Sequence, residues 1–255
     1  MQKKGKDSPN FKDKTGEHHW TKEGEEVEII AYRGKLDCDI LFLRTGNIIT
    51  NRTHCEIKKG KIKNPYYPSV YGVGYIGEGV YKCYTGEDRS PHYKRWMDML
   101  KRCYSEKHQQ QYPSYRQVSV CNEWHNFQNF ASWFEETYKP HMRGWALDKD
   151  IFSRETKTYS PETCCFVPED INNLFTTKQS RKHSHLPLGV TYSRSGKKYV
   201  AQMTKNGRTN RFGSYGNVEE AEERYNVERK LYLKEKAESY KDVLDIKVYN
   251  KLICK

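Results

Sequence analysis

From Leu188 to Tyr215 the chain alternates apolar and polar residues in three short runs, LGVTYS, KYVAQMT and TNRFGSY. Arg-Ser-Gly separates the first two and Asn-Gly the last two, the latter a strong signal for a tight hairpin. Period-two alternation broken by such turns leaves few folds open, and an antiparallel three-stranded meander with one covered side is the simplest. The cover follows at once. Asn217 and Glu220 have the spacing of a capping box, and Val218, Ala221, Tyr225 and Tyr232 recur at helical intervals. In the middle strand Tyr199, Ala201 and Met203 share one side, while Lys198, Val200, Gln202 and Thr204 share the other. A single helix covers a single side, so the second is expected to stay open.

Charge says what the open side would meet. No Asp or Glu lies between Asp170 and Glu219, an interval that holds nine Lys or Arg. Over 255 residues, 45 Lys and Arg stand against 33 Asp and Glu, a formal charge of +12, and the partner is expected to be acidic. The 20 tyrosines, many beside Lys or Arg, suit phosphate neutralisation combined with base or sugar contact. Only 35% of residues are hydrophobic, too few for one large core but enough for several small ones.

No stretch approaches the roughly 18 consecutive apolar residues of a membrane span, and the N-terminus has no apolar signal segment. A cytoplasmic protein without membrane association is expected. The eight cysteines include no C-x-x-C pair, so no zinc-finger site is expected, and reduced, mostly buried thiols are.

The remaining sequence divides into segments. Residues 1–22 are polar and lysine-rich and read as a disordered basic tail. Residues 23–85 carry short β-prone runs (VEIIAY, CDILFL, NIIT) and then closely spaced Gly and Pro, which suggests a small β-rich module with barrel-like closure. Between Pro91 and Gln111, Tyr93, Trp96, Met97, Leu100, Cys103 and Tyr104 recur at helical spacing. A second helix is expected with Asn122 as N-cap and Trp124, Phe127, Phe130, Ala131 and Phe134 on its buried stripe. Next come a strand in WALDKDI, a polar loop, a strand in CCFVP, and a helix in PEDINNLF that buries Ile171, Leu174 and Phe175. Residues 179–186 read as a linker and 239–255 as a C-terminal tail. The fold class is therefore α+β and multidomain: an N-terminal β-module, a central helical and ββα domain over residues 86–178, and a three-stranded antiparallel sheet with one helix over residues 187–238.

The last module resembles the APETALA2-type DNA-binding domain, on LPLGVTYSRSGKKYVAQM and RFGSYGNVEEAEERY and their spacing. That resemblance implies double-stranded DNA as partner, with Thr191, Ser193, Arg194, Lys197, Lys198, Gln202, Thr204, Arg208 and Arg211 facing it. Arg can contact guanine in bidentate fashion and Gln adenine. Several positions usually held by Arg or Trp in the plant proteins are here Thr, Ser or Gln, so base preference does not carry over. A basic sheet that contacts phosphates alone is the competing reading.

Residues 91–178, through VCNEWHNFQNFASWF, GWALDKDI and YSPETCCFVPEDINNLF, resemble the HNH endonucleases of phages and mobile elements, whose strand-loop-strand-helix unit wraps one divalent metal. The resemblance implies a DNA endonuclease or nickase of the homing type that hydrolyses phosphodiester bonds. Asp148 and Asn172 would then ligate magnesium or manganese through oxygen. The usual catalytic histidine position is Lys149, with Asp150 a further acid beside it. Three readings stay open: Lys149 acts as the base if burial and a metal depress its pKa; Lys149 only stabilises phosphate while Asp150, His141 or His125 is the base; or the site is inactive and the chain is a DNA-binding regulator. An RNA-binding protein would account for the basic tail and the tyrosines but not for the paired layout.

Overall fold

A computed structural model describes residues 11–152, 156–174 and 185–254. Phe175 and the linker up to residue 184 lie outside the described residues. The chain divides into two compact units, Met1–Leu100 with Asn122–Phe130, and Lys101–Cys121 with Ala131–Lys255.

In the first unit β1 (His18–Trp20), β2 (Glu26–Gly34), β3 (Asp37–Phe42) and β4 (Ile48–Arg52) pair antiparallel in chain order. Alternation sends Val27, Ile29, Cys38, Ile40 and Phe42 to one side, where Ile57 of α1 (His54–Lys58) and Ile62 complete a small core. Thr53 starts α1 with a reciprocal capping box to Glu56. Two expectations are corrected here. Residues 11–22 are not a disordered tail, because β1 pairs with β2 in the register His19 to Val27. Nor does the sheet close into a barrel: β1 and β4 are its edges.

The Gly- and Pro-rich stretch that follows has two isolated bridges, Val70 to Gly74 and Tyr75 to Asn126, and a minimal hairpin of β5 (Tyr84–Thr85) and β6 (Asp88–Arg89). Its order comes from a buried glutamine. Gln128 accepts from Tyr81 N at 3.0 Å and donates to Tyr81 O at 3.0 Å, replacing the ladder that a strand partner would supply.

The expected Pro91–Gln111 helix is two helices, α2 (Pro91–Tyr104) and α3 (Glu106–Gln111), because Ser105 turns extended and its hydroxyl accepts from His108 N. Within the first unit Trp96 is fully buried and donates its indole N–H to Trp124 O at 2.7 Å. In the second unit Tyr104 OH accepts from Val120 N on β7 (Ser119–Val120). Asn122 begins only a 3-10 turn, Asn122–His125. The helix proper, α4 (Phe127–Thr137), is started by Asn126, whose Oδ1 accepts from Gln128 N at 2.9 Å.

The second unit contains the strand-loop-strand-helix segment where it was expected. β8 (Ala146–Asp148) pairs antiparallel with β10 (Cys165–Val167), and α5 (Glu169–Leu174) follows. Between them β9 (Thr158–Tyr159) pairs parallel with β7. Trp133 and Phe134 of α4 pack on Phe166 of β10, with ring centroids 5.4 Å apart in both cases.

Then come β11 (Val190–Ser193), β12 (Lys198–Lys205), β13 (Arg208–Tyr215) and α6 (Val218–Ser239), a three-stranded antiparallel sheet under one helix as the alternation requires. Val190, Ala201, Met203, Ala221, Tyr225 and Tyr232 form its core. Asn217 caps α6, its Oδ1 accepting from Glu220 N at 2.8 Å. Gly189 is required where it stands: its φ is +79°, and a Cβ there would lie 2.0 Å from the Tyr225 ring.

Residues 239–255 are not a plain tail. α7 (Ile246–Ile253) is capped by Asp245 and buries Val248 and Leu252. Asp170 of α5 accepts from Lys236 Nζ of α6 at 2.8 Å and from Tyr240 OH at 3.3 Å, so the ββα segment and the basic sheet belong to one packed unit.

None of the eight cysteines is in a disulfide, and four are buried. Burial pushes the thiols of Cys103 and Cys164 up to about 12, which keeps them in the neutral thiol form that packs as a small apolar group. Among the described residues no helix is long and apolar enough to cross a membrane.

Candidate functional site

The uncovered side of the C-terminal sheet is assembled by register. Ser193 lies opposite Lys198; Thr191, Val200 and Ser214 form one row across all three strands; Gln202 faces Arg211; and Thr204 faces Thr209. A bulge at Ala201/Gln202 absorbs one extra residue of β13, which keeps Gln202 and Arg211 on the open side while Phe212 turns to the core. The result is a shallow concavity of about 580 Å³ lined by Thr191, Ser193, Arg194, Val200, Gln202 and Arg211, among others. Val200, only 7% exposed, is its floor.

Arg194 and Lys197 are exposed at the tip of the β11–β12 hairpin, where Lys197 adopts a φ of +46°. Arg208 is the one expected contact that leaves the group. It pairs with Lys205, whose ammonium sits 5.2 Å from both the Phe212 and Tyr232 rings and 3.4 Å from Glu228 of α6. Cross-strand partners share a side, so Arg208 projects toward the helix side.

Acids are confined to one side of the module. Between residues 187 and 239 every acid lies on α6, where Arg224, Arg229, Lys230, Lys234 and Lys236 offset most of them, whereas the sheet and its hairpin tip carry Arg194, Lys197, Lys198 and Arg211 with no acid among them. A polyanion is attracted more strongly to the sheet than to the nearly balanced helix.

The second candidate is the ββα segment. Asp148 ends β8 and is only 8% exposed. Its Oδ1 accepts from Asp150 N at 2.8 Å and Ile151 N at 2.7 Å, closing the turn that leaves the strand. Burial pushes this carboxyl above the usual carboxylate range, against the two N–H donors that pull it down. Asp148 is therefore a turn-forming residue in the first place; among the described residues its Oδ2 takes no hydrogen bond. Lys149, also 8% exposed, places Nζ 2.5 Å from Asp150 Oδ1 and 5.8 Å from the Tyr159 ring centre. Asn172 is half-buried on α5. His141 Nε2 donates to Val243 O at 3.3 Å, a bond that ties it to the chain before α7.

A third cluster arises where no site was expected. Glu17, His19 and His54 are the one group of three His, Cys or carboxylate residues, among those described, whose donor atoms lie close enough to share an ion, all within 4.8 Å of one another. Its one sequence signal is Glu-His-His-Trp at residues 17–20; His54 joins it from α1, which packs beside β1.

Comparison with protein-family models, with curated proteins and with solved structures finds no match for this chain.

Proposed function

We propose that this chain binds duplex DNA through the open side of its C-terminal sheet. The observation that carries the proposal is the acid-free row arrangement of Gln202, Arg211, Ser193 and Lys198 on a sheet whose other side is closed by an acid-bearing helix. A sheet two to three strands wide fits a major groove, phosphates supply affinity, and Arg and Gln side chains are able to read base edges. Fluorescence anisotropy with the full chain tests it. Duplex DNA should bind at least about tenfold more tightly than a single strand of equal length at the same salt, because the rigid row matches a groove rather than a flexible strand. Equal affinity for both would favour a strand-binding role and remove the groove.

A second reading is supported by the order β8, β10, α5 with Asp148 at the strand end and Asn172 on the helix. Here the sheet delivers DNA to a metal-dependent endonuclease or nickase. Magnesium or manganese held by Asp148 Oδ2 and Asn172 would stabilise charge on the scissile phosphate, and Lys149 or Asp150 would handle the proton. Supercoiled plasmid with either ion should be nicked or linearised by wild type and left intact by Asn172→Ala. Lys149→Ala separates base from bystander. Uncut plasmid across targets and ions, with binding retained, leaves the regulator reading.

A further inference from the structure

His19 leaves the short edge strand β1, His54 is the first residue of α1, and Glu17 sits in the turn before β1. Glu17 is fixed on both sides of its position: Gly16 N donates to Ile29 O at 2.8 Å, and Ile29 N to Glu17 O at 3.0 Å. His54 is fixed by its own N–H, which donates to Lys35 O at 2.9 Å, and by the Tyr32 ring standing edge-on to it at 5.8 Å.

These anchors bring both imidazole Nε2 atoms to the same carboxylate oxygen. Glu17 Oε2 is 3.4 Å from His19 Nε2 and 3.6 Å from His54 Nε2. Neither nitrogen makes a hydrogen bond, and both are shielded from solvent. Both nitrogens thus face one carboxylate oxygen at ion-pair distance without ordinary hydrogen-bond geometry. Around a tetrahedral zinc ion with metal–ligand bonds near 2.0–2.1 Å, neighbouring donors lie about 3.3–3.4 Å apart. The His19–Glu17 separation has that length, and the His54–Glu17 separation, at 3.6 Å, is slightly longer.

We propose that Glu17, His19 and His54 form a binding site for a divalent ion of the zinc class. Two imidazole nitrogens and one carboxylate oxygen are the donor set of zinc rather than of magnesium or calcium, which take oxygen. Glu17 ligates through Oε2; Lys14 Nζ lies 2.9 Å from Oε1 and 3.1 Å from Oε2, so it must give up Oε2 to the ion and stay on Oε1 as the outer partner. Water takes the fourth position. The ion ties the three-residue strand β1 to α1 across a sheet whose core is only eight buried side chains, the situation in which a small module gains most from a metal staple.

The test uses the full chain, stripped with EDTA and kept reduced. Titrated with Zn²⁺, wild type is expected to take one equivalent per chain with a rise in Tm, and Co²⁺ is expected to give the visible bands of a tetrahedral N/O site. His19→Ala and His54→Ala should each weaken uptake at least about 100-fold, and Glu17→Gln, which keeps the shape, at least about tenfold. Should an alanine variant fail to fold by circular dichroism, Glu17→Gln and the wild-type cobalt spectrum decide. No uptake by wild type, uptake unchanged in Glu17→Gln, or a sulfur-to-cobalt charge-transfer band placing the ion on cysteines would each overturn the proposal.

Discussion

Gln202 and Arg211 stand directly opposite each other on β12 and β13, one residue past the bulge that separates them from the Val200–Ser214 pair. That bulge decides which side both side chains occupy. Without it the alternation along β13 would carry Arg211 to the helix side and Phe212 to the open side. A long neutral amide and a guanidinium thus share the middle of the uncovered sheet, flanked by Thr204 and Thr209.

The pair is expected to divide the work of binding. Arg211→Ala should lower DNA affinity about tenfold and reduce the slope of log K against log salt by about one, the signature of one lost phosphate contact. Gln202→Ala should leave the slope unchanged and alter preference among duplex sequences. Anisotropy titrations between low and moderate salt check both, and a Gln202→Ala slope that falls like that of Arg211→Ala would remove the distinction.

Asp148 is expected to act on stability differently according to its replacement. Asp148→Ala strips the acceptor of two buried N–H groups and should cost about 1–3 kcal/mol. Asp148→Asn keeps Oδ1 and removes a buried charge, so it should be within about 1 kcal/mol of wild type or more stable at neutral pH. The sign with pH follows from the raised folded-state pKa. The group's stabilising contribution is complete below its ordinary value of 3.8 and is lost as pH rises through the raised value. Urea unfolding at several pH values should therefore show the Asn variant gaining on wild type as pH increases above 3.8. A gap that narrows with rising pH would contradict the assignment.

Gly189→Ala is expected to loosen the C-terminal module. The new Cβ would meet the Tyr225 ring at 2.0 Å in a backbone conformation, φ +79°, that disfavours a side chain. The two effects together should cost at least about 2 kcal/mol. Gly216→Ala, with nothing within 4 Å of the new carbon, serves as the control and should change stability by less than about 0.5 kcal/mol. Thermal melts followed by circular dichroism distinguish the two.

The parts of the fold legible in the sequence are those where local period and turn chemistry agree. β11 to β13 and α6 begin and end within a few residues of where LGVTYS, KYVAQMT, TNRFGSY and the Asn217–Glu220 cap put them. β8, β10 and α5 likewise follow WALDKDI, CCFVP and PEDINNLF. What escaped depends on partners distant in the chain. β1 has three residues and exists because β2 pairs with it, and α7 is a short amphipathic helix whose Val248 and Leu252 need a surface to cover. The split between α2 and α3 turns on one serine hydroxyl at Ser105. For the sites, strand alternation marks the open face, and with Arg211 on it the same alternation carries Arg208, three residues earlier, to the other side, in agreement with its pairing to Lys205. Asp148 stands at the strand end where WALDKDI puts it and closes the turn there with two backbone bonds, whereas its burial is a property of the packed chain. His19 and His54 meet only through tertiary packing.

The most direct measurement of the DNA-docking account compares two charge reversals of equal size in the full chain. Arg194 and Arg211 lie on the sheet and its hairpin tip; Lys230 and Lys234 are exposed on α6. The double variant Arg194→Glu/Arg211→Glu should lose at least about 100-fold in duplex affinity at low salt, whereas Lys230→Glu/Lys234→Glu should lose less than about threefold despite the same change in net charge. Equal losses from the two faces would contradict it, since binding would then follow overall charge and not the open side of the sheet.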